Sequence, residues 1–170
     1  EDPVGRPRGD YSFQLYGGDL DGVVEHLDHL ASLSVEVLYL TPVFPAGSAH
    51  RYDASSFLEV DPLLRGQDAL GRLVEAAHAR GMACMAYNMI YAANQTYLTD
   101  GSGVSPEWRL VKANGQNFTC DMDVKRGPVG VLQYFNPLNA EWQKYIFAQE
   151  NKTFEAFAFD GWHGDTIGEN

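Results

Sequence analysis

The sequence predicts an α/β fold, the N-terminal part of a parallel (β/α)₈ TIM barrel, on three observations. Helical apolar stripes alternate with short apolar runs along the chain. Long loops follow the C-terminal ends of the first two runs. The third run leads into Asp160-Gly161-Trp162-His163-Gly164-Asp165, an aromatic stretch closed by carboxylates. Alternation of this kind means a parallel sheet with crossover connections, and in a barrel the C-terminal ends of the strands form the functional face. An open doubly wound sheet is the alternative, but no glycine-rich phosphate loop follows any strand. A complete barrel takes about 250 residues, and 170 are present. The expectation is therefore a partial barrel over residues 16–170, with residues 1–15, rich in Pro, Gly and charge, as a linker or truncated edge.

The elements follow in order. Asp19 caps a first helix whose apolar face is Leu20, Val23, Val24, Leu27, Leu30 and Ala31. Val35 to Leu40 is apolar enough for a buried parallel strand, ended by Thr41-Pro42. Leu70, Leu73, Val74 and Ala77 mark a second helix, stopped at Gly81, and Met82 to Tyr87 is the second strand. A loop of about fifty residues follows, far above the usual ~4–6, and its Tyr, Trp, Asn and Asp content suggests function. Asn136-Pro137 is expected to open a third helix, Asn as cap and Pro in the first turn, with Leu138, Trp142, Tyr145 and Ile146 on its face. Phe157 to Gly161 is read as the third strand.

Composition narrows the function classes. Hydrophobic content of 45% and aromatic content of 12% are values of a folded domain. A net charge of −11 leaves no basic patch for a nucleic acid backbone, and suits a neutral polymer or simple solubility. No apolar run reaches the ~20 residues of a membrane span. Two cysteines make neither a disulfide framework nor a zinc spacing; Cys84 reads as a buried thiol and Cys120 as a loop residue. No cofactor is implied, and the sequence is silent on oligomeric state.

The chemistry concentrates at strand ends. Asp160 reads as a structural carboxylate bound to nearby backbone, whereas Asp165, beyond Gly164, is the exposed one. In a retaining glycosidase one carboxylate attacks the anomeric carbon while an acid ~5–5.5 Å away protonates the leaving oxygen. Asp165 has the chemistry of the attacker; as an isolated feature, an Asp after a strand is as readily a helix cap. His163 is either a hydroxyl-binding neighbour of that carboxylate or a packed strand-end His. Asp160, His163 and Asp165 match no metal-ligand spacing. Tyr87, Asn88 and Tyr91 after the second strand, His50 and Tyr52 after the first, and Trp162 after the third offer the aromatic faces and amides that suit a pyranose ring. Each alone reads as a packing residue; together at one end of a parallel sheet they suggest a cleft.

Two resemblances cover different parts of the chain. MAYNMIYAA at 85–93, GVSPEW at 103–108, FNPLNAEWQKYIFAQE at 135–150 and FDGWHGDTIG at 159–168 resemble glycoside hydrolase family 66, the dextranases and cyclodextran-forming glucanotransferases. That resemblance implies a retaining barrel enzyme acting on α-1,6-glucan, with Asp165 as nucleophile. Nothing in the chain matches the family's acid/base Glu, so little turnover is expected from these residues alone. YGGDLDGVVEHLDHLASL at 16–33, VLYLTPVF at 37–44, HRYDASSFLEVDP at 50–62 and LVEAAHARGM at 73–82 instead resemble the neopullulanase and cyclomaltodextrinase branch of the α-amylase family. This implies that Tyr52 stacks under the sugar beside the cleaved bond, with His50 close by. The amylase pattern then departs: Tyr87 stands where an Asp belongs, and Tyr91 and Ala92 where Asn and His belong. The reading from sequence is a retaining α-glucan hydrolase or transglycosidase, dextran-directed first, with a starch or maltodextrin enzyme or a non-catalytic glucan-binding fragment as alternatives. The partner is an α-glucan, and a secreted or cell-surface setting is expected.

Overall fold

The computed structural model describes residues 15–52, 54, 56, 58–94, 103–121 and 131–165. Three strands, β1 (Val37–Tyr39), β2 (Ala83–Asn88) and β6 (Gly161–Gly164), form a parallel sheet in the order β1-β2-β6. Helix α1 (Leu20–Ser32) precedes β1, α2 (Gly66–His78) joins β1 to β2, and α3 (Ala140–Phe157) leads to β6. A second, antiparallel sheet of β3 (Ala92–Asn94), β4 (Thr119–Asp121) and β5 (Val131–Tyr134), ordered β3-β5-β4, is inserted between β2 and α3.

The local rules are visible in each helix. Asp19 accepts a hydrogen bond from the Gly22 amide at 2.8 Å and starts α1. Helix α2 closes where Gly81 takes φ +74°, which lets the Gly81 and Met82 amides reach the His78 and Ala77 carbonyls. Leu27, Leu70, Leu73, Val74 and Cys84 are fully buried between these helices and one face of the sheet. The opposite face is open: Val37 and Tyr39, alternating with the inward-packed Leu38, are 52% and 44% exposed. Burial pushes the Cys84 thiol up to about 11, so it is an inert core residue.

Three expectations are corrected. Helix α3 begins at Ala140, not at Pro137. Asn139 is its cap, accepting from the Glu141 and Trp142 amides, while Asn136 closes a separate turn onto the Leu138 amide. Leu138 thereby lies outside the helix and is 86% exposed. The third strand is Gly161–Gly164, not Phe157 to Gly161. Phe154 and Phe157 continue the helical stripe against the core, and Ala158, at φ +50°, turns the chain so that only Phe159 enters the core before the strand. The long loop is a small sheet, held to α3 by Trp142, which stacks on Phe135 at 4.2 Å and donates its indole N–H to the Ile90 carbonyl.

One carboxylate sets where β6 lies. Asp160 accepts from the Cys84 amide at 2.7 Å and from His78 Nε2 at 2.8 Å, and its own amide donates to the Cys84 carbonyl. These bonds, the Cys84 amide first and His78 second, hold its carboxyl below the usual value. Its contribution to stability is present above the unfolded-state pKa of about 4 and is lost as pH falls through the lowered folded value. Asp160→Asn is expected to destabilise the fold at neutral pH and to flatten the acid limb of the stability profile, measured by urea titrations from pH 2 to 7. An unchanged acid limb would remove Asp160 from this role.

Candidate active site

The register of the parallel sheet assembles the site. Tyr39 pairs with Met85, and Tyr87 pairs with His163. With side chains alternating between faces, Tyr39, Tyr87 and His163 share the open face at its C-terminal end. Gly161 also belongs to this row: a Cβ there would come within 2.8 Å of the Met85 thioether. Past the strand, the Asp165 amide donates to the Asn88 carbonyl, and the Tyr87 hydroxyl donates to Asp165 Oδ2 at 2.6 Å. Burial and the Asp165 carboxylate push the Tyr87 hydroxyl far above its usual pKa, so it stays a donor at ordinary pH.

An aromatic arch stands over this pair. Tyr52 meets Tyr87 edge-on at 5.2 Å, and His50 stacks on Tyr52 at 5.6 Å. His163 lies 6.0 Å from the Tyr87 ring, and its Nδ1 is 2.9 Å from the Tyr39 hydroxyl. Burial, together with the charge of Asp165, raises the Tyr39 pKa. Tyr39 is a site residue that motif reading missed. The alternation of VLY was a signal for it, because an aromatic at the C-terminal end of the strand on the open face must line the cleft.

The loop that carries His50 and Tyr52 is held by a second group of residues missed from sequence. Arg51 Nε donates to Asp61 Oδ2 at 2.9 Å, with both side chains about nine-tenths buried. Arg51 also donates to the Ala49 carbonyl, and the Ser48 hydroxyl accepts from the Arg51 amide. Arg51 itself adopts φ +60°, a left-handed turn that sends its neighbours His50 and Tyr52 away from the core-bound guanidinium.

The structure thus brings together Asp165, His163, Tyr87, Tyr52 and His50. It turns Asn88 away from them, while Tyr91 packs on the cluster of buried residues that includes Tyr87 and touches Tyr52. Asn88 follows Tyr87 on the strand, so its side chain takes the opposite face and donates to Glu150 of α3. Tyr91 packs at 5.3 Å on Tyr134 of the inserted sheet. Trp162 alternates with His163 along β6 and is half-buried on the helix side. Strand parity, which depends on the exact strand limits, turns Asn88 and Trp162 away from the cleft; composition of the motif does not. Among the described residues, no group of three or more His, Cys, Asp and Glu side chains is arranged to hold a metal.

Residues 5–92 match Alpha amylase, catalytic domain, and residues 64–170 match Glycosyl hydrolase family 66. The chain belongs to both families, over stretches that overlap at residues 64–92. The intracellular maltogenic amylase of Bacillus subtilis (strain 168) is 32% identical over 91% of this chain. A cyclomaltodextrinase from a Bacillus species is 44% identical over 40% of it. The chain spans 27% of the length of the first relative and 12% of the second. Among solved structures, a ligand-free cyclic α-maltosyl-(1→6)-maltose hydrolase from Arthrobacter globiformis superposes with a TM-score of 0.72 at 25% identity, over 95% of this chain and 39% of that one. The type III pullulan hydrolase of Thermococcus kodakarensis gives 0.70 at 28% identity, over 93% of this chain and 29% of its own. The fold is therefore a partial (β/α)₈ barrel of the α-amylase kind, and the relatives are glycosidases.

The Arg51–Asp61 pair is the part of the site most open to a stability test. Arg51→Ala leaves a buried carboxylate without its partner and is expected to cost about 3–5 kcal/mol in chemical denaturation. A loss below about 1 kcal/mol would mean that the pair behaves as a surface salt bridge and does not anchor the loop.

Proposed function

We propose that this chain is the nucleophile-bearing, sugar-binding part of a retaining α-glucan glycosidase whose substrate is a maltodextrin. The observation that carries the reading is the Tyr87–Asp165 hydrogen bond, with the Tyr52–His50 stack set against the Tyr87 ring. A carboxylate at the strand rim, oriented by a buried phenol with further aromatic rings beside it, is suited to attack an anomeric carbon while a pyranose rests on the rings. His163, fixed through Nδ1 by Tyr39, turns its other ring nitrogen toward a substrate hydroxyl.

The substrate preference departs from the dextran-first expectation. The relatives that align over nine-tenths of the chain are maltogenic amylases, which supports α-1,4-linked maltodextrin over dextran. A dextran-directed activity is the second reading, favoured by the match of residues 64–170 to Glycosyl hydrolase family 66. In either case the acid/base partner of Asp165 has to lie ~5–5.5 Å from it.

The test uses the intact enzyme that carries this segment. Maltohexaose and cyclomaltodextrin are expected to be cleaved in preference to isomaltohexaose and dextran, and Asp165→Asn is expected to abolish cleavage. Tyr52→Ala should weaken maltodextrin binding by about 1 kcal/mol, roughly fivefold. Preference for dextran would shift the assignment to the second reading, and full activity of the Asp165 variant would end both.

A further inference from the structure

Behind the sheet, on the face away from Asp165, lies a cavity of about 290 Å³ between β2, α2, α3 and the segment that follows β1. Its walls are largely apolar and include Leu40, Val60, Leu70, Phe157 and Phe159. Its polar lining comes from Thr41, Gln67, Asn88, Gln149, Glu150 and Thr153, with Glu59 and Lys152 at exposed positions. Glu150, 94% buried by its 6% exposure, receives one hydrogen bond, from the Asn88 amide nitrogen. The Asn88 carbonyl oxygen is itself buried with no partner. Two acceptor groups thus meet inside an apolar pocket, and among the described residues no cation is paired with Glu150.

A buried carboxylate with a single donor and a neighbouring orphan carbonyl is costly to leave unfilled. We propose that this cavity is a second binding site, for a small primary ammonium compound with a compact apolar body. An ammonium supplies three donors and a positive charge, which fits the Glu150 carboxylate and the Asn88 carbonyl. The apolar walls take the hydrocarbon part, and the volume, at the small end of ligand pockets, suits a body of a single ring or short chain.

The other titratable groups along the cavity do not replace such a ligand. Lys152, on α3, is exposed and directs its ammonium to the Gln149 side chain at 3.4 Å. Glu59, from the segment before α2, is exposed and adds negative charge. Tyr87, from β2, is among the residues that border the cavity, and its hydroxyl is engaged by Asp165. Helix α2 contributes Gln67 and Leu70 and no charge. Burial pushes the Glu150 carboxyl up to about 7, so the empty site is largely neutral below that pH and a bound cation draws it into the ionised form. Asn88 follows Tyr87 on β2, so the site backs directly onto the residue that holds Asp165. The proposal stands apart from the glycosidase reading, because none of these floor groups belongs to the cleft.

The probe is benzylammonium, with benzyl alcohol as the uncharged control of the same shape, titrated into the chain and followed by calorimetry and amide chemical shifts. Benzylammonium is expected to bind saturably at pH 8, to shift the Asn88 side-chain amide, and to bind at least about tenfold more tightly than benzyl alcohol. Its affinity should fall roughly thirtyfold between pH 8 and pH 5.5, as Glu150 titrates near 7 and takes up its proton. Glu150→Gln should lose both the preference for the amine and the pH dependence. Should that variant fail to fold, the alcohol control and the pH profile of the parent chain decide. Equal binding of amine and alcohol, pH-independent binding, unchanged binding by a folded Glu150→Gln chain, or no saturable binding would each overturn the proposal.

Discussion

The pairing of β6 on β2 is the constraint on which the rest of the structure depends. A parallel pair needs a long crossover, here the inserted sheet and α3, and nothing in so long a connection fixes register by itself. Asp160 supplies that register: its carboxylate, its amide and the two groups of Cys84 form one bonded unit at the start of β6. Three residues of pairing later, Tyr87 faces His163, and the next amide beyond the strand is that of Asp165, bound to Asn88. A slip of one residue would send His163 to the helix side and break the Tyr87–Asp165 bond.

The same alternation divides β2 between two chemistries. Tyr87 serves an open, aromatic cleft in which a carboxylate is oriented by a phenol. Asn88, one residue on, borders a largely apolar cavity in which burial raises the pKa of another carboxylate, Glu150. The open face with exposed Val37 and Tyr39 and the filled face with Leu73 and Cys84 are what separates them. In a barrel, the first is the interior and the second is the layer between strands and helices.

Much of this was legible in the sequence, for physical reasons that can be named. Helices α1 and α2 announce themselves by a 3.6-residue stripe, the Asp19 cap and the Gly81 stop, and these are local effects. The short strands were found as apolar runs, but their limits were not, because Phe157 satisfies a helical stripe and an apolar run equally well. That shift of the third strand matters little for Asp165, which lies beyond it under either reading. The parity of Asn88 and Trp162 matters more: both were read as cleft residues from motif context, and alternation turns both to the helix side. The inserted sheet was hidden, since its strands of three or four residues carry too little periodicity to stand out. Arg51 and Asp61, ten residues apart, gave no local sign of a buried ion pair, because that contact is made by tertiary closure of the loop. Tyr39 and Glu150 were likewise passed over, one inside a strand and the other inside a helix, where single polar or aromatic residues are read as packing.

The most direct measurement is to trap the glycosyl–enzyme intermediate of the intact enzyme with a 2-deoxy-2-fluoro-α-glucosyl fluoride and map the labelled residue by peptide mass spectrometry. The account expects the sugar on Asp165, with labelling slowed when Tyr87 is changed to Phe. A label on another carboxylate, or none on a demonstrably active enzyme, would contradict it.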